Sequence, residues 1–284
     1  MIVPFALIKE SVATFIADDL LSRGASIAFY AVISLAPVLF IIVAIAGAVY
    51  GEDAARGLIV VQFTELMGRA TAQIIQDAIA HVFAEGSGTE ATLFGIATLI
   101  VTASGVFGEI QTALNSIWRA SPAGTAVSRM VRARLVSLGL VGALGFLLLA
   151  SLAFSTAVSA LAPYLGTASA IALGVLNFVG SFVVVSLVFA AVYKILPDRD
   201  IEWRDVGLGA VVAALLFEVG KSAIGFYIGR SATASAYGAA GAVFVMLLWA
   251  YYTAQIFLFG AVLTRVFAGW RDERQLRNAG GDPG

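Results

Sequence analysis

Apolar residues fall along this chain in long unbroken runs, with polar positions gathered between them. Residues 135–193 contain no Asp, Glu, Lys or Arg. As one helix that run would be about 90 Å long at ~1.5 Å per residue, against a bilayer core of about 30 Å. It must fold back on itself, and Leu161-Ala162-Pro163-Tyr164-Leu165-Gly166-Thr167 supplies the break. Residues 24–51 and 231–264 are also uncharged, while 91–117 and 206–229 are apolar with one or two charges each. The pattern predicts an all-α membrane protein of six transmembrane helices, at about 25–50, 91–117, 135–162, 169–196, 206–229 and 238–267. Each exceeds the ~20 residues needed to cross, so tilt or extension beyond the lipid is expected.

The connections carry a different pattern. Ile59, Phe63, Leu66, Met67, Ala70, Ile74, Ala78 and Val82 recur at three- and four-residue spacing, with Gln62, Glu65, Arg69, Gln73 and Gln76 on the other face. That periodicity predicts an external amphipathic helix over about 54–84, read first as a structural lid and second as a ligand-gating element. Residues 1–23 repeat the pattern more weakly, through Phe5, Ile8, Val12, Phe15 and Leu20, and predict a cytoplasmic interfacial helix. Residues 268–284 are polar and Gly-rich, and a flexible cytoplasmic tail is expected there. No internal sequence repeat is visible, and no cleavable signal peptide is expected, because the start lacks a basic region and Lys9-Glu10 and Asp18-Asp19 interrupt its apolar stretch.

Composition agrees with the runs: 60% of residues are hydrophobic and 12% charged, against about 25% charged in soluble domains. The sign of the loop charges gives the orientation. Thirteen of the seventeen Lys and Arg residues fall on the side of the termini and the second and fourth connections, and three on the other side. That bias predicts both termini in the cytoplasm. It also accounts for Arg119, Arg129, Arg132 and Arg134 without nucleic acid, and no nucleic-acid partner is expected. Contact of these arginines with anionic lipid headgroups is a further reading.

Charges inside the apolar runs are the informative ones, because they are costly in lipid. Glu109 lies about two turns before the cytoplasmic end of the second run. Glu218 and Lys221, three residues apart in the fifth, share a helix face. The pair can be a buried salt bridge or part of a polar path; Glu109 must be protonated, matched by another span (Lys221 is one candidate) or face water. Asn115, Tyr237 and Gln255 add polar groups that can bond between helices or line a path. Pro37 removes a backbone hydrogen bond from the first run and predicts a kink, with Ser34 near enough to satisfy freed groups.

Catalytic constellations are absent. His81 is the single histidine and there is no cysteine, which excludes H-E-x-x-H zinc sites and thiol chemistry. No Walker A sequence occurs, so neither ATP hydrolysis nor any cofactor or metal is expected.

Four segments carry a family resemblance across roughly residues 18–266. SIAFYAVISLAPVLF, TASGVFGEIQTALNSIWR, LPDRDIEWRDVGLGAVVAALLFEVGKSAIGFYI and SAYGAAGAVFVMLLWAYYTAQIFLFGAVLTRV resemble, in order, motifs of the YihY/BrkB family of bacterial inner-membrane proteins. Val262 departs from the acidic residue many members carry after the Gly-Ala of the last span. The resemblance implies six spans with cytoplasmic termini; the family has been described through virulence, as transporters and under an old ribonuclease BN label. That last label would need a soluble cluster of His and Asp ligands, which this chain lacks.

The reading that follows is an ATP-independent transporter or translocator of lipid or another envelope component. Its partners would be the bilayer and an anionic lipid or small solute, in a groove between spans two, five and six lined by Glu109, Asn115, Glu218, Lys221, Tyr237 and Gln255. The alternative is a non-transporting envelope scaffold with Glu218 and Lys221 paired; an intramembrane enzyme is third. The uncharged third and fourth spans are expected to be wall.

Overall fold

The computed structural model of the chain describes residues 3–34, 76, 105–120, 167–230 and 238–279. Every regular element among the described residues is an α-helix: α1 (Val3–Ala17), α2 (Leu20–Ser34), α3 (105–118), α4 (Thr167–Ile195), α5 (Trp203–Arg230) and α6 (Gly238–Ala279). Two stretches, Phe178–Ile195 of α4 and Val243–Gln275 of α6, are long and apolar enough to cross a bilayer. Helices α4 and α5 overlap the runs read at 169–196 and 206–229, and α6 overlaps the last run, read at 238–267. Pro37, Tyr237, Arg129, Arg132, Arg134, the run at 135–162 and, apart from Gln76, the external helix lie outside the described residues.

The outer faces of these helices are apolar. Val175, Val179, Val183 and Leu187 form one exposed row on α4, and Val211, Leu215 and Val219 another on α5. Beyond Val206, the buried positions of α5 are instead small or charged: Gly209, Ala210, Ala213, Ala214, Glu218 and Gly220. A helix in water turns its large apolar residues inward. Here they point out, the arrangement lipid permits.

Two compact units divide the chain. The first comprises Met1–Leu20, Gln111–Leu216 and Ile256–Gly284. Its centre is Tyr193 of α4, fully buried, whose hydroxyl donates to the Phe257 carbonyl of α6 at 2.7 Å. Phe189 and Phe257 pack around the same ring. Beside them α5 and α6 touch backbone to backbone: a Cβ on Gly260 would lie 2.8 Å from the Gly209 carbonyl oxygen, and one on Gly209 would strike the Gly260 carbonyl. Val262, where an acidic residue was noted as missing, is fully buried. The second unit comprises Leu21–Ile110 and Phe217–Gln255. Tyr30 packs on Gly105 there, and the Ser34 hydroxyl donates to the Ala31 carbonyl at 2.9 Å.

Two helix ends depart from the sequence reading. The pattern through residue 23 suggested one amphipathic helix, but α1 stops at Ala17. Asp19 adopts φ 50°, its N–H bonds the Ile16 carbonyl at 3.2 Å, and α2 begins at Leu20. Phe15 then packs edge-on against Phe259 and Leu20 is fully buried, while Phe5, Ile8 and Val12 stay exposed. At the other end a flexible tail was expected from 268, and α6 instead continues to Ala279. Good helix formers fill that extension, and the Trp270 indole N–H and the Arg271 guanidinium are both engaged by carboxylates.

Helix α3 ends in a Schellman arrangement built on a non-glycine residue. Arg119 sits at φ 47°, its N–H bonds the Ser116 carbonyl at 3.1 Å, and the Ala120 N–H bonds the Asn115 carbonyl at 2.9 Å. An L-residue pays roughly 1–2 kcal/mol for this left-handed conformation, part of which glycine's unfolded-state entropy offsets. Arg119→Gly is expected to raise stability by about 0.5–1 kcal/mol, read as an upward shift in the thermal midpoint in detergent.

Candidate functional site

Glu218 and Lys221 form an ion pair at 2.8 Å, one turn apart on α5, with side chains 8% and 32% exposed. Helical spacing alone brings them together. Phe217 meets Trp249 of α6 edge-on, and Trp249 in turn meets Tyr252. Tyr252 lies so close to Gly220 that a Cβ there would strike its ring. The pair therefore sits on a helix that aromatic residues of α6 hold closely, all in the second unit.

Two more of the expected residues belong to that unit. Gln255 donates from its amide to the Leu21 carbonyl at 3.2 Å and presses on Gly24, where a Cβ would meet the amide. Glu109 of α3 is partly buried and, among the described residues, forms no ion pair; Lys221 is taken by Glu218. Asn115, placed by sequence in the same groove, belongs to the first unit instead.

There Asn115 holds the loop between α4 and α5. Its Nδ2 donates to the Asp198 carboxylate at 2.8 Å, and its Oδ1 accepts the Asp198 backbone N–H at 2.7 Å. Gln111, one turn earlier on α3, adds a donor to the same carboxylate at 3.3 Å. Arg199 donates to the Trp118 carbonyl at 3.1 Å with its guanidinium 5.6 Å from the indole centroid. This clamp fixes the end of α3 to the α4–α5 loop and engages both polar side-chain atoms of Asn115. Sequence reasoning missed Asp198 because its partners lie 83 and 87 residues away; the Pro197-Asp198 pair marked only a turn. Arg119 next to the clamp is exposed.

A second charged cluster joins the start of α5 to the extension of α6. Arg271 reaches the Asp205 carboxylate at 2.8 Å and Glu202 at 3.0 Å, with Asp205 buried and Glu202 exposed. Burial pushes the Asp205 carboxyl above its ordinary range, and the Arg271 charge opposes that shift. Asp200, on the adjoining loop, is held below the ordinary carboxylate range by its 2.6 Å bond to Lys194. Neither cluster is legible in the sequence, because a count of basic residues by side is blind to which carboxylates they meet.

Comparison with known proteins adds a common denominator. A family model described as virulence factor BrkB matches residues 11–281. A UPF0761 membrane protein of Rhodospirillum centenum is 30% identical over 273 residues, covering 93% of this chain and 58% of that protein. One from Nitrosospira multiformis is 34% identical over 63% of this chain and 42% of its own length. One from Idiomarina loihiensis is 36% identical over 61% of this chain and 60% of its own. The chain thus spans about half the length of these curated relatives. No solved structure matches it.

Proposed function

This chain belongs to the virulence factor BrkB family of membrane proteins, and on that premise we propose a multi-pass inner-membrane protein that moves an anionic lipid or small anionic solute without ATP. Six spans and two cytoplasmic termini are the arrangement that thirteen Lys and Arg against three argues for. The transport reading rests chiefly on one observation: Lys221 is paired with Glu218 inside an apolar helix yet keeps a third of its side chain exposed. Ionisable groups at such depth are retained where they meet each other or a polar path. In this mechanism an anionic group displaces the Glu218 carboxylate from the Lys221 ammonium, and Glu218 takes the ammonium back when the anion leaves. Glu109 is a second ionisable group of the same unit, and Arg119, Arg129, Arg132 and Arg134 are the headgroup contacts at the cytoplasmic rim. No enzymatic step is part of the reading, and neither family nor relatives are described as enzymes.

The test is lipid exchange in liposomes of phosphatidylethanolamine and phosphatidylglycerol. Fluorescent phosphatidylglycerol is reduced from outside with dithionite, so only exchanged lipid is lost beyond the outer leaflet. Lys221→Met is expected to slow exchange several-fold. Rates unchanged by both Lys221→Met and Glu109→Gln would remove these residues from the mechanism.

A second reading, an envelope scaffold without transport, draws on the mutual neutralisation of Glu218 and Lys221 and on the backbone contact of Gly209 with Gly260. It expects no exchange above protein-free liposomes.

A further inference from the structure

Helix α1 has three faces of different chemistry. Leu7, Ser11, Phe15 and Asp18, at three- and four-residue spacing, are buried or half-buried. Ala13 and Ala17 are exposed and small. Between these faces runs a row of four large apolar residues: Phe5, Ile8, Val12 and Ile16, exposed by 74%, 51%, 42% and 64%. Glu10 of this helix has a partner on α6, while the four large apolar residues of the row are left exposed.

Contacts with α6 place that row. Phe15 meets Phe259, Asp18 meets Arg265 at 3.6 Å, and the Glu10 carboxylate accepts the Trp270 indole N–H at 2.7 Å. Glu10 thus lies by the polar end of this stretch of α6, and Phe15 and Asp18 by residues nearer its apolar part. The stretch is where apolar Phe259-Gly260-Ala261-Val262-Leu263 gives way to Gly269-Trp270-Arg271-Asp272-Glu273-Arg274. Such a change, with a tryptophan at the turn, marks the membrane–water boundary of a helix. We propose that α1 enters the bilayer leaflet along α6 and sets Phe5, Ile8, Val12 and Ile16 against acyl chains, with Ile16 deepest. The occupant of this face is then hydrocarbon. A helix lying flat on the headgroups, the arrangement the sequence suggested, could not follow α6 from Trp270 to Phe259. The proposal rests on the membrane-spanning reading of α6.

Because the chain has no cysteine, single spin labels can be placed without removing any native residue. Phe5→Cys, Ile8→Cys, Val12→Cys and Ile16→Cys, with Ala13→Cys on the small-residue face, would be labelled in the full chain reconstituted in phosphatidylethanolamine–phosphatidylglycerol vesicles. Val183→Cys and Leu187→Cys on α4 serve as lipid-facing references. The expected result is a ratio of oxygen to nickel-chelate collisions several-fold higher at Ile8, Val12 and Ile16 than at Ala13, and highest at Ile16. Nickel access across the row equal to that at Ala13 would overturn the proposal, provided Val183 and Leu187 favour oxygen. Low access to both reagents with dipolar broadening would also overturn it and would put a second copy of the chain on this face. Nickel access at Val183 and Leu187 as well would refute the membrane-spanning reading itself.

Discussion

Gly209→Val is expected to lower stability by about 3 kcal/mol or more, beyond the usual 1–3 kcal/mol cost of overpacking. The Cβ would strike the Gly260 carbonyl and the Thr264 hydroxyl. Neither can swing aside. The carbonyl belongs to the α6 backbone, and the hydroxyl, fully buried, donates to that same carbonyl at 2.9 Å. Relief requires α5 and α6 to separate, which would also disturb the neighbouring bond from Tyr193 to Phe257. Small residues at a crossing gain dispersion contact that lipid cannot supply between parted helices. Gly207, two residues away, has nothing within 4 Å of a built Cβ. Gly207→Ala is accordingly expected to be neutral or to stabilise by up to about 1 kcal/mol through helix propensity. Thermal unfolding of both variants in detergent checks the pair; equal midpoints would mean that the α5–α6 contact is not tight.

Arg271→Met is expected to cost about 2–3 kcal/mol near pH 7, at the lower edge of the range for breaking a buried pair because Arg271 is partly exposed. The loss should shrink in acid. Burial raises the folded-state pKa of Asp205 above its unfolded value, so folding disfavours its charged form. That penalty is absent below the unfolded pKa and sets in as pH rises through the folded one. Arg271 compensates the penalty, and without it the charged carboxylate is left buried alone. The midpoint difference between wild type and Arg271→Met should therefore be smallest at low pH and widen toward neutrality. A difference that narrows with rising pH would contradict the assignment. Asp205→Asn combined with Arg271→Met is expected to recover much of the loss, since no unpaired charge remains.

Much of the helical framework was legible because lipid enforces a simple rule. Every spanning segment must be apolar and satisfy its own backbone, so apolar runs report helices directly, as with α4, α5 and the start of α6. The extension of α6 was not legible. Its Trp-Arg-Asp-Glu-Arg composition reads as a polar tail until Glu10, Glu202 and Asp205 are found beside it. The break of α1 at Asp18-Asp19 was likewise hidden, because the apolar spacing continues across it while Asp19 turns left-handed. At the candidate site only the Glu218–Lys221 pair could be derived, from local helical spacing. The clamp at Asn115 was not legible: residue type and approximate depth do not name a partner, and the carboxylate it holds lies 83 residues away.

The central claim is that the Glu218–Lys221 pair works rather than merely packs, and neutralising both members at once tests it most directly. Glu218→Gln with Lys221→Met keeps size and removes both charges, so a purely structural pair would lose little stability or gain some. Lipid exchange in the phosphatidylethanolamine–phosphatidylglycerol liposomes and the thermal midpoint in detergent would be measured on the same preparation. The expected result is a midpoint near that of wild type with exchange reduced to the protein-free rate. A folded double variant that exchanges lipid as fast as wild type, or a wild type no faster than empty liposomes, would contradict it.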